Sequence, residues 1–163
     1  MKNLSNLQGL FLMLIVTLTW SCGEDEEPKA IWEEEVEQII QATSKYLNFE
    51  TATNDGLIDV SGYVPNMGFH YLNPALADGT FDLLKPEIVL YLPDDNGELQ
   101  MVAVEYSIIP NDPSSPGSPP AGLTGDIDEW HFNEIIGHWQ LHVWTVMENP
   151  DGIFASFNTD IGD

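Results

Sequence analysis

Three polar side chains interrupt stretches that are otherwise apolar. Glu105 stands in the middle of MVAVEYSII, His142 in the middle of WQLHVWTVM, and His70 among aromatic residues in NMGFHYLNP. A carboxylate inside an apolar strand costs several kcal/mol unless it is paired or hydrogen-bonded. Glu105 therefore needs a partner, and an imidazole can serve both as that partner and as a metal ligand. Two imidazoles and one carboxylate suit a divalent metal, zinc or non-haem iron, with a position left open for water or a ligand. Such a set could belong to a binding module for a small ligand or metal. With Glu105 as ligand or base, it could equally belong to a metal-dependent enzyme. A third alternative is structural, in which the three groups satisfy one another and do no chemistry.

Other constellations are weaker. The segment HWQLH, residues 138–142, would set two imidazoles on one helix face at a zinc-binding spacing. Trp139 stands where such motifs carry their basic glutamate. The alternation of Trp139, Leu141, Val143 and Thr145 against Gln140, His142, Trp144 and Val146 instead predicts a strand, as does its aromatic and β-branched content. In a strand His138 and His142 share a face but lie about 13 Å apart, too far to bind one ion. No G-x-S-x-G elbow and no glycine-rich phosphate loop occurs. Ser107 would share the face of Glu105 but reads as an ordinary strand serine, and His131 reads as a surface residue. Trp130, Trp139, Trp144, Phe154 and Phe157 read as core rather than as a ligand platform.

The elements that must position these groups begin with a helix. Trp32, Val36, Ile39, Ile40, Thr43, Tyr46 and Leu47 recur at spacings of three and four, with Glu33, Glu34 and Glu35 in the first turn, where carboxylates complement the helix dipole. Asn54-Asp55-Gly56 should end it. PEIVLYLP and ELQMVAVEYSII are strands, and Asn96-Gly97 between them predicts a type I′ hairpin. Residues 110–125, PNDPSSPGSPPAGLTG, can hold neither ladder nor helix and predict an exposed loop. DIDEWHFNEIIGH predicts a short helix or an irregular segment, and Asn149-Pro150-Asp151-Gly152 a turn after the last strand. The expected class is α+β, with an N-terminal amphipathic helix packed on a mainly antiparallel sheet in a single domain over 31–163.

Charge and the N-terminus bound the setting. Residues 1–21 carry Lys2 and an apolar run from Leu10 to Trp20, too short to span a bilayer comfortably, and predict a signal peptide. The chain's one cysteine, Cys22, follows at once. TLTWSC resembles a bacterial lipobox, which makes Cys22 the expected lipidation site and membrane anchor. Residues 22–30 predict an acidic tether, and GEDEEPKA resembles the tag that sends some Gram-negative lipoproteins to the outer face of the outer membrane. Beyond residue 21 the chain holds 27 acids, three lysines and no arginine. That balance excludes nucleic acid and anionic lipid head groups as partners, since both need dense cationic contacts.

One resemblance spans residues 41–158. The order VPNMGFHYLNP, MVAVEY and LHVWTVMENPDGIFASFN resembles a group of uncharacterised exported bacterial proteins. These have an N-terminal helix and the motifs P-x-M-G-x-H-Y-x-N-P, V-A-V-E-Y and L-H-x-W with N-P-x-G-x-F. The resemblance implies that His70, Asn73, Glu105, Tyr106, His142, Trp144, Asn149, Gly152 and Phe154 occupy motif positions. It implies an architecture and a shortlist of residues, with no established activity.

Overall fold

The computed structural model describes residues 28–162. The signal peptide expected over 1–21, the lipidation expected at Cys22 and all but the end of the 22–30 tether lie outside them. No helix among the described residues is long and apolar enough to cross a membrane.

The helical segment breaks in two. Helix α1 runs Ile31–Thr43, a 3-10 turn covers Ser44–Leu47, and α2 covers Phe49–Asn54. The carboxylate of Glu33 reaches back to the Ala30 amide at 3.0 Å, which satisfies a donor just ahead of the helix. Asn48 starts α2 by accepting from the Thr51 amide at 2.9 Å. The segment stops at Asp55-Gly56, as its turn residues predict, with Gly56 at φ 94°. Val36, Ile39, Thr43 and Tyr46 of the periodic stripe are buried, whereas Ile40 and Leu47 stay exposed.

Six strands form one antiparallel sheet, so the α+β class holds. They are β1 Ile58–Val64, β2 Gly68–Leu72, β3 Ile88–Pro93, β4 Leu99–Ile108, β5 His131–Asn133 and β6 His138–Val143. Their spatial order is β1-β2-β3-β4-β6-β5. The β1–β2 turn has Pro65 and then Asn66 at φ 62°, with the Met67 amide bonded to the Val64 carbonyl, a type II geometry. Gly68 follows at φ 96°, and a Cβ there would lie 2.5 Å from the Tyr91 carbonyl oxygen, so only glycine fits.

Two local expectations are corrected. The β3–β4 hairpin forms, but its turn is not type I′, because Asn96 does not have a positive φ. The Gly97 amide bonds the Asp94 carbonyl at 2.9 Å, and the Asp94 carboxylate accepts from the Asn96 and Glu98 amides. These bonds hold a type I turn followed by a left-handed Gly97. The segment expected as helix or irregular chain contains β5, an edge strand whose hairpin closes through Gly137 at φ 73°.

The helices cover one face of the sheet, where Val89, Tyr91, Val104, Tyr106, Leu141 and Val143 join Val36 and Ile39 in the larger core. Burying each such aliphatic side chain contributes about 1.5–3 kcal/mol. A smaller cluster of Met67, Ile88, Leu90, Val102, Ala103, Trp144 and Ile161 packs on the opposite face. A bulge separates the Leu90–Ala103 and Tyr91–Met101 pairs, which makes Val102 the extra residue. The Val102 carbonyl accepts from the amides of Val146 and Met147, both at 3.1 Å, and so pins the bulge. Residues 110–125 form no ladder, and the loop returns to α1, where the amide and hydroxyl of Thr124 each bond the Glu35 carboxylate at 2.7 Å.

Candidate metal centre

Register brings the three predicted residues together. Glu105 pairs with His142 across β4 and β6 and with Ile88 on β3, while His70 pairs with Leu90. Ile88 and Leu90 share the face away from the helices, so His70, Glu105 and His142 project there together. Glu105 is fully buried, His142 is 1 % exposed and His70 7 %.

One carboxylate oxygen lies between the two rings. Glu105 Oε2 is 3.4 Å from His70 Nε2 and 3.5 Å from His142 Nε2, and one ligand atom from each residue lies within 4.8 Å of the others. Five buried side-chain polar atoms lack a hydrogen-bond partner among the described residues, and three belong here: Glu105 Oε2 and both ring nitrogens of His142. Buried polar atoms are normally satisfied. The centre thus concentrates unsatisfied donor atoms at one point.

Surrounding groups orient the set. Ser61 Oγ lies 3.1 Å from His70 Nδ1 and 2.6 Å from the Gly62 carbonyl oxygen. Its hydroxyl proton goes to that carbonyl, so His70 Nδ1–H donates to Ser61 and the Nε2 lone pair is left facing Glu105. Asn133 Nδ2 donates to Gln140 Oε1 at 2.9 Å, which fixes the Gln140 amide so that its Nε2 donates to Glu105 Oε1. His131 Nε2 also bonds Gln140 Oε1, at 3.2 Å, and His131 Nδ1 accepts from Ser156 Oγ at 3.1 Å. One oxygen of Glu105 is therefore held and the other is free.

Electrostatics follow burial. Without a cation, burial pushes the Glu105 carboxyl up to about 8, against the Gln140 bond, with Glu87 adding a further push. Burial holds the His142 imidazole down to about 3, helped by His70 and His131, and holds His70 down to about 4. At neutral pH all three groups are therefore uncharged in the metal-free protein, and a cation binding here would have to displace the Glu105 proton.

The centre opens onto a cavity of about 590 Å³ lined by all four histidines of the chain. His138 Nδ1 meets Ser107 Oγ there at 2.9 Å. His131, expected at the surface, is half-buried in this wall. The supporting residues divide. Trp144 Nε1 bonds the Ala155 carbonyl at 2.7 Å and Asn149 Nδ2 the Phe157 carbonyl at 2.9 Å. These two bonds hold the segment that presents Phe157 to the cavity and Ser156 to His131. Tyr106 points into the helix-covered core and donates to the Leu83 carbonyl at 2.6 Å. Asn73 follows β2 and bonds the Ala75 amide and the Asp55 carbonyl, outside the cavity.

Sequence reasoning missed Ser61, Gln140 and Glu87. Glu87 is 1 % exposed, accepts from the Ser107 amide at 3.0 Å, and is pushed up to about 7 by burial. Its place directly before IVLYLP was the available signal. Compared with protein-family models, with curated proteins and with solved structures, the chain gives no match.

Proposed function

We propose that this chain is an exported, lipid-anchored module, held to the outer membrane through Cys22, whose domain binds a divalent transition metal through His70, Glu105 and His142. The observation that carries the metal reading is the spacing around Glu105 Oε2 together with its lack of partners. At 3.4 and 3.5 Å these contacts are too long for hydrogen bonds between an acid and an imidazole. That argues against the self-satisfied network. A tetrahedral site with bonds of 2.0–2.1 Å separates its ligand atoms by roughly 3.3 Å, whereas neighbouring ligands in an octahedral site of similar bond length lie about 3.0 Å apart. Zinc is the metal taken for the test, since it accepts both imidazole nitrogen and carboxylate oxygen and the third pair of ligand atoms also lies within 4.8 Å. Ser61 behind His70 and Gln140 behind Glu105 supply the outer support that ligating groups normally have.

Binding is favoured over a metal-dependent enzyme for a chemical reason. Glu105 belongs to the ligand set, and no carboxylate is among the residues that line the cavity. A hydrolytic reaction would have to take His131 or His138 as its base. Protein purified without chelator should contain close to one zinc per chain by elemental analysis, and His142→Ala should contain far less. Equal, substoichiometric metal in both would end the proposal. The anchor has its own check, since Cys22→Ser should release the protein from membranes.

A further inference from the structure

We propose that the cavity above the metal takes a monoanionic amphiphile, a medium-chain monocarboxylate, with its head on the metal and its chain along the apolar wall. This rests on the metal reading of the previous section. The volume, about 590 Å³, lies within the range of small-molecule sites. Val60, Val64, Met67, Leu72, Ile88 and Ile136 supply most of the apolar wall, and His70 and His142 bring the metal centre to it. A ligand that fits must be greasy over most of its length and polar at one tip.

The mouth carries a second, independent sign. Val60, Ile136 and Phe157 come from β1, the β5–β6 turn and the C-terminal segment, and all three line the cavity. They are 51 %, 49 % and 55 % exposed, on a chain whose net charge is −23. Apolar side chains from three separate elements converging on one opening form an entry for an apolar body. The two hydrogen bonds from Trp144 and Asn149 keep Phe157 at that opening rather than in the core.

Charge selects the head group. The cavity lining contains no Lys, Arg, Asp or Glu. A divalent cation on anionic Glu105 and two neutral imidazoles leaves one net positive charge at the floor, with its open coordination position toward the cavity. One carboxylate neutralises that charge, a neutral alcohol does not, and a dianion overshoots in a site without lining cations.

The test titrates the full chain, zinc-loaded and zinc-free, with octanoate and with 1-octanol by calorimetry, alongside Ala77→Phe, which adds bulk to the cavity lining at a residue outside the ligand set. Octanoate should bind the zinc-loaded protein at least tenfold tighter than octanol, and zinc removal should abolish that preference. Ala77→Phe should keep its zinc and lose both ligands. Zinc uptake with no preference for octanoate, or undiminished binding in Ala77→Phe, overturns this inference and leaves the metal site standing. No zinc uptake by the unmodified chain overturns both.

Discussion

The two faces of the sheet treat polar atoms in opposite ways, and β4 carries the contrast along one strand. On the helix-covered side Val104 and Tyr106 pack into the core, and the tyrosine and threonine hydroxyls that reach it from β3, β4 and α1 are paired, with only Asp128 Oδ1 and Thr145 Oγ1, on separate residues, left without partners among the described residues. Tyr106 donates to Leu83, Tyr91 to the Tyr46 carbonyl at 2.8 Å, and Thr43 to the Ile39 carbonyl at 2.7 Å. On the other side Glu105 and His142 leave three atoms without partners. Glu105 and His142 are as buried as Tyr91 and Tyr106, so their own exposure does not explain the difference. One face is arranged for its own stability, the other retains donors aimed at something the chain does not itself provide.

That contrast breaks most sharply under paired substitutions. Glu105→Gln should reduce zinc affinity by on the order of 1,000-fold, because it removes the only anionic ligand. Its metal-free stability in urea should stay level or rise, since a buried acid becomes a neutral amide. Leu141→Ala on the covered face should do the reverse, losing about 2–5 kcal/mol of stability while each folded chain still binds zinc. If both variants lost stability and metal together, the two faces would not be separable. A smaller effect sharpens the same point through pH. The Glu105 carboxyl of the metal-free protein is held up to about 8, so below that pH each bound zinc must displace one proton. The imidazoles, held down to about 4 and about 3, add no competing proton between pH 6 and 8. Zinc should therefore bind about 50-fold more weakly at pH 6 than at pH 8, and a flat profile in competition titrations would remove Glu105 from the ligand set. Smallest is Ser61→Ala, which frees His70 Nδ1 and should weaken zinc by about tenfold without changing its stoichiometry.

What could be read from the sequence follows the range of the interaction. Glu105 stood out because its own neighbours make it expensive, and the alternation around His142 decided between strand and helix before any partner was known. Helix start, helix end and the hairpin position were local and were legible. The turn type was not, because the Asp94 carboxylate takes two amides and outweighs the preference of Asn-Gly for positive φ. Gln140 was invisible for a different reason. A glutamine in a strand says nothing until β4–β6 register sets it opposite Ser107, next to Glu105, and β5 places Asn133 and His131 against its oxygen. The Gln140–Glu105 bond links residues 35 positions apart, and nothing in a short window encodes it.

The bulge at Val102 has a consequence for how such a chain can change. Because it adds one residue to β4, it decides whether the odd or the even positions beyond it look outward from the helices. A single-codon deletion of Val102 would close the bulge, join the Tyr91–Met101 and Leu90–Ala103 pairs into a regular ladder and leave Val104, Glu105 and Tyr106 facing as they do now, while removing the carbonyl that Val146 and Met147 use. A lineage could therefore lose Val102 and keep the carboxylate outward, whereas losing Val104 alone, in the regular part of the strand, would turn Glu105 toward the helices.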